Sequence, residues 1–157
     1  MNITSLKIFF GMATLLFTVA VLGKADAQTT AETWQVEVDI NSGLPNPVFT
    51  LTSAELADLK SRLGSAKSVA GASPNVKTIR PSILGYRGLT VTGKSADGTQ
   101  TTGDVEVYKG KILRRAPGPA AVLDDSATGL ERQLLALGMA KKVISPGAMT
   151  EIQKSLP

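Results

Sequence analysis

The chain contains neither cysteine nor histidine, and aromatic residues make up only 4% of its 157 positions. Without cysteine there are no disulfides, no thiol nucleophile and no cysteine to carry a lipid after leader cleavage. With histidine missing as well, Ser-His-Asp and Cys-His catalysis and the usual zinc sites are excluded. So few aromatics cannot build the stacking platform that single-stranded nucleic acids require. A net charge of +4 is too mild for a duplex binder, so no nucleic-acid partner is expected. Phosphate-loop and dinucleotide fingerprints, internal repeats and heptad runs are also missing. Chemistry is left to carboxylates, lysines, tyrosines and hydroxyls. The reading therefore leans away from an enzyme, and no cofactor or metal is expected.

What is present first is a leader. Residues 1–27 have the form of a secretory signal peptide: Lys7 in a short polar start, an apolar run from Ile8 to Leu22, and the small residues Ala25 and Ala27 before Gln28. The run is shorter than the roughly 20 apolar residues of a spanning helix. Cleavage after Ala27 is expected, leaving no transmembrane segment and a secreted or periplasmic destination. Loss of Lys7, Lys24 and Asp26 lowers the net charge to +3. Residues 28–157 suit a single domain, which at this length buries about two-thirds of its unfolded surface.

Alternation is cleanest at Trp34, Val36, Val38 and Ile40 against Gln35, Glu37 and Asp39, which predicts a half-buried strand. Asn41 to Pro47 follows as a stiff loop with two prolines. Thr52 and Glu55 have capping-box spacing, predicting a helix over Ser53 to Leu63 that presents Leu56, Leu59 and Leu63 and ends at Gly64. Ser65 to Ser82 reads as a long surface connection. Strand character returns with Leu89 and Val91 on one face and Tyr86, Thr90 and Thr92 on the other, Gly85 and Gly88 marking a bulge or a close approach. A turn over Lys94 to Thr99 leads into Asp104 to Tyr108. Lys109-Gly110 is either a second tight turn into Lys111 to Arg115 or a bulge in one long strand. Ala116-Pro117-Gly118-Pro119 then breaks the sheet. Thr128 and Glu131 repeat the capping-box spacing before a helix carrying Leu130, Leu134, Leu135 and Leu137 that ends at Gly138, and Ser145-Pro146 opens a short last helix. The expected fold is α+β: an antiparallel sheet of three to four strands, helices packed on one face, in the order β-α-β-β-(β)-α-α.

Lys109, Lys111, Arg114 and Arg115 are four cations within seven residues. They fit an anionic surface or an acidic protein, or the charge that keeps an edge strand from pairing with other chains. Pro45, Asn46 and Pro47 make a preordered loop of the kind that loses little entropy on binding, or an ordinary connector. Glu37 and Asp39, with Cα atoms about 7 Å apart on one strand face, fit either a carboxylate pair acting on a glycosidic bond or a solvated strand face. Asp124-Asp125 fits a cation or the start of a helix. Arg87 is placed to stack on Tyr86 or to pair with a carboxylate of a neighbouring strand. Three functions are carried forward: an exported non-catalytic binding module for a protein or anionic surface; a peptidase inhibitor presenting Ser42 to Pro47; and a small carboxylate-dependent hydrolase.

Overall fold

The alternation at Trp34 becomes the second strand of a sheet. In the computed structural model, which describes residues 32–40, 43–73, 78–81, 83–98, 101–116 and 118–157, β1 (Thr33–Asp39) buries Trp34, Val36 and Val38. It lies between β2 (Val48–Thr50) and β4 (Gly88–Lys94), antiparallel to both. β5 (Thr101–Tyr108), β6 (Lys111–Ala116) and β7 (Ala121–Asp124) extend the sheet, and β3 (Lys67–Ser68) closes its far edge against β7. The expected leader, residues 1–27, lies outside the described residues, as do Ser42 of the inhibitor loop and Pro117 of the sheet breaker.

The expectation of three to four strands in the order β-α-β-β-(β)-α-α is corrected. Among the described residues the sheet has seven strands, ordered β2-β1-β4-β5-β6-β7-β3, and the elements run β-β-α-β-β-β-β-β-α-α with three helices. The added strands β2, β3 and β7 are three, two and four residues long, too short for alternation to rise above chance. β2 buries one side chain, Phe49, and pairs because Pro47 leads directly into it. β3 lies inside the expected long connection. β7 forms because the chain folds straight back after Pro119, so the proline-glycine segment ends β6 without ending the sheet.

Lys109-Gly110 is a turn. Both residues have positive φ, 47° and 74°, the signature of a two-residue hairpin whose twist matches its strands. The register instead shifts between Asp104 and Val105, opposite Arg114 to Ala116.

Helix α1 (Ser53–Ser65) has the expected capping box. The Glu55 amide donates to Thr52 Oγ1 at 3.3 Å and the Thr52 amide donates to Glu55 Oε2 at 2.7 Å. It continues through Gly64. In α2 (Leu130–Ala140) the N-cap is Gly129, at φ 60°, and Thr128 does not cap it. The buried Asp125 carboxylate accepts the amides of Leu130 and Glu131 at 2.7 and 2.9 Å, with the Thr128 hydroxyl donating to the same carboxylate. Glu131 is thereby free of the capping task and turns inward to accept from the Tyr86 hydroxyl at 2.8 Å. Gly138 lies inside α2, where a Cβ would collide with Ile144. Helix α3 (Pro146–Gln153) starts from Ser145, whose hydroxyl accepts from the Ala148 amide at 3.1 Å.

One apolar core joins Leu59 of α1, Leu130, Leu134 and Leu135 of α2 and Ile152 of α3 to the sheet face of Val36, Leu89, Val91, Val105, Val107 and Ile112. Tyr86 belongs to this core rather than to the opposite face. It precedes β4 rather than sitting in it, and the strand alternation does not reach it. Its burial, followed by the charge of Glu131, raises the phenol pKa far above its ordinary value of 10.

Candidate functional site: an ion-paired sheet face that holds two loops

The other side of the same strands is charged. Strand alternation turns Glu37 and Asp39 of β1 and Asp104 and Glu106 of β5 away from the core, with Thr90 and Thr92 of β4 between them in register. Four carboxylates on one face need cations, and three arginines supply them. Arg87, just before β4, pairs with Asp39 through both Nε and Nη2. Arg80 reaches Asp39 at 3.2 Å and Glu106 at 3.4 Å. Arg115 of β6 reaches Glu106 at 2.7 Å and Asp104 at 3.2 Å. The result is a continuous chain of alternating charge, Arg87–Asp39–Arg80–Glu106–Arg115–Asp104, spanning β1 to β6.

The network ties down backbone as well. The Glu106 carboxylate accepts from the Thr78 hydroxyl at 2.8 Å and the Ile79 amide at 3.0 Å, so the segment entering β4 is strapped across the sheet. Burial alone would raise the Glu106 pKa, but hydrogen bonds from Arg115, the Ile79 amide and Thr78 outweigh it and hold the carboxyl below its ordinary value of 4.5. Arg115 is held more firmly protonated: burial opposes this, and its bonds to Glu106 and Asp104 prevail. Asn46 fastens the proline loop to the same face. Its side-chain amide donates to Glu37 at 2.7 Å and Asp39 at 3.2 Å, while its oxygen accepts from the Ile40 amide at 3.2 Å. The Val38 amide donates to the Pro47 carbonyl at 2.9 Å.

Antiparallel pairing of Asp39 with Gly88 brings the loop after β1 and the loop before β4 to one end of the sheet. Gly88 also lets the start of β4 lie close against β5, since a Cβ there would lie 2.6 Å from the Val107 carbonyl oxygen. The large apolar residues left exposed among the described residues belong to these two loops and the start of β2: Leu44 (71% exposed), Val48 (47%), Ile83 (50%) and Leu84 (85%).

The four cations singled out from sequence are not gathered into one patch. Lys109 lies in the exposed turn, its ammonium 5.6 Å from the Tyr108 ring centre, and borders a cleft of about 450 Å³ with Asp125, Glu131 and Arg132. Lys111 is exposed at the start of β6. Arg114 and Arg115 point to opposite faces, Arg114 beside Trp34 and Arg115 into the ion network. Pro45, Asn46 and Pro47 do come together with Glu37 and Asp39. Asp124 accepts from the Ser126 amide and hydroxyl, each at 2.9 Å, which lowers its pKa, and Asp125 starts α2. Arg87 takes the pairing role with Asp39.

Sequence reading missed Arg80, Asp104 and Glu106. Their signal was the second alternating acidic pair: Asp104 and Glu106 flank Val105 as Glu37 and Asp39 flank Val38. Among the described residues no group of three or more acidic side chains is arranged to hold a metal ion, and no helix is long and apolar enough to cross a membrane.

The chain matches no protein-family model, no curated protein and no solved structure. Its functional reading therefore rests on this geometry.

Proposed function

We propose that the protein is an exported, non-catalytic binding module that meets a protein partner through the apolar tips of its two braced loops. The observation that carries this reading is the joint placement of Leu44, Ile83 and Leu84 at one end of a sheet whose charged face fixes both loops. Exposed apolar side chains confined to one region mark interaction surfaces, and loops held before binding lose less entropy when they dock. An anionic surface has less support, because Arg115 is already paired with carboxylates and only Lys109 and Lys111 remain together at the β5–β6 turn. A hydrolase also has less support, since Asp39 is engaged by two arginines and Asn46 also binds Glu37.

The test is recovery of partners from the extracellular fraction of the source cells by three baits: wild type, Leu44→Ser with Leu84→Ser, and Lys109, Lys111, Arg114 and Arg115 all changed to Gln. Loss of a partner from the loop variant alone is the expected result. Loss from the basic-residue variant alone, or equal recovery by all three, would defeat the reading. Peptidase inhibition is the second reading, favoured by the internal bracing of the proline loop by Asn46. Its test is a protease panel, in which wild type blocks a protease and Asn46→Ala is cleaved by it.

A further inference from the structure

At the opposite end of β1, away from the loops, a cavity of about 480 Å³ opens between the sheet and α1, bordered by Glu32, Trp34, Lys60, Leu63, Arg114 and Ala116. Its size falls within the range of small-molecule sites. Its floor is rigid. The Trp34 ring lies across β4 and β5 at Gly93 and Gly103, where any Cβ would overlap it, so the indole is fixed by the two strands beneath. Glu32 then collects two donors, Trp34 Nε1 at 3.0 Å and Lys60 Nζ at 3.2 Å. The Lys60 ammonium also sits 5.4 Å from the Trp34 ring centre. Lys60 and Glu32 therefore cancel in charge.

Arg114 is different. Its Nε is buried without a hydrogen-bond partner, and among the described residues it takes part in no ion pair, whereas its neighbour Arg115 bonds two carboxylates. A guanidinium that borders a cavity and has no carboxylate partner is placed to receive an anionic acceptor entering there. The guanidinium fork matches two coplanar oxygens. With Lys60 and Glu32 cancelling, the one net positive charge of Arg114 matches a monoanion. Leu63, Ala116 and the indole edge supply apolar wall for the rest of the ligand.

We propose that this cavity binds a small organic carboxylate, its charged end on Arg114 and its apolar body against Trp34 and Leu63. The site is independent of the loop surface, so either can fail without the other.

Trp34 is the sole tryptophan of the chain, so its emission reports occupancy directly. The protein is titrated with phenylbutyrate and, separately, with the neutral phenylbutyramide, following Trp34 fluorescence and heat of binding. Saturable binding of phenylbutyrate is expected, with the amide weaker by about tenfold or more, the value of one charge-assisted hydrogen bond. Arg114→Gln is expected to weaken phenylbutyrate to the level of the amide, while Arg132→Gln at a distant cleft leaves binding unchanged. Leu63→Phe, which fills the cavity and keeps Arg114, is expected to block the probe and covers the case in which Arg114→Gln fails to fold. No saturable signal at millimolar phenylbutyrate, equal binding of acid and amide, or undiminished binding by Leu63→Phe or by a folded Arg114→Gln would overturn the proposal.

Discussion

The two faces of the sheet are built from alternate residues of the same strands, yet they are held by different forces. The helix-covered face is a continuous apolar core in which Val36, Val38, Leu89, Val91, Val105 and Val107 are fully buried. Its stabilisation is non-directional, spread over every contact, and tolerant of small shifts. The other face carries buried charges, Asp39 and Glu106, joined by arginines and hydrogen bonds in fixed geometry. Buried ion pairs add little net stability over apolar packing because desolvation offsets the Coulomb gain. What they give here is position: each carboxylate binds a specific backbone or side-chain group of a loop. One face makes the domain fold; the other decides where two loops stand.

The largest effect that distinguishes the faces is expected from Leu89→Ala. It opens a cavity in the core and lowers unfolding free energy by about 2–5 kcal/mol, seen in chemical denaturation and accompanied by loss of protection throughout the sheet. Asp39→Ala removes a carboxylate shared by two arginines, whose side chains keep 24% and 32% exposure, while Arg80 keeps Glu106. That residual solvation discounts the penalty for a fully buried pair to about 2–3 kcal/mol, and the loss is expected to concentrate in the loops. Equal loss at every position in both variants would erase the contrast.

Acid titration sharpens it. Because the Glu106 pKa is lowered on folding, its contribution to stability is present above the ordinary carboxylate value of 4.5 and is lost as pH falls through the lower folded value. Glu106→Gln is expected to be less stable than wild type at neutral pH, and the difference should shrink as pH falls below that range. A difference that stays constant down to strong acid would contradict the assignment. At the alkaline end Tyr86 has the opposite sign: its raised pKa stabilises below 10 and loses that contribution as pH rises beyond it, a loss that Tyr86→Phe is expected to abolish. Smaller still, Thr52→Ala removes the α1 cap and costs about 1 kcal/mol in the same denaturation assay, with the paired loop geometry unchanged. Lys154→Ala removes an exposed i,i+3 pair with Glu151 and is expected to change stability by less than about 0.5 kcal/mol.

The faces also differ in how far they were legible. Period-two alternation in β1 and around Leu89 and Val105 announces an apolar side directly, and Thr52 with Glu55 announces α1. The strands β2, β3 and β7 were hidden because two to four residues carry no period, and their pairing is set by neighbours distant in sequence. The α2 cap was misassigned because Asp125 reaches over a turn to bond amides five and six positions ahead, a pattern that the usual three-residue spacing does not contain. The ion network was half visible: the carboxylates of β1 lay in plain alternation, but Arg80 comes from a stretch with little periodicity, and only topology carries it across the sheet. The two prolines marked Pro45 to Pro47 as a constrained connector. They could not show that Asn46 is its fastening point, since that depends on Glu37 and Asp39 seven to nine residues earlier.

The charged face holds the two loops in place, and native-state hydrogen exchange, residue by residue, on Asp39→Ala beside Leu89→Ala tests this most sharply. Asp39→Ala is expected to free selectively the amides of Ile40, Ile79 and Arg87 while amides of β5 and α2 keep protection set by the remaining global stability. Uniform loss across the domain, indistinguishable in pattern from Leu89→Ala, would contradict it.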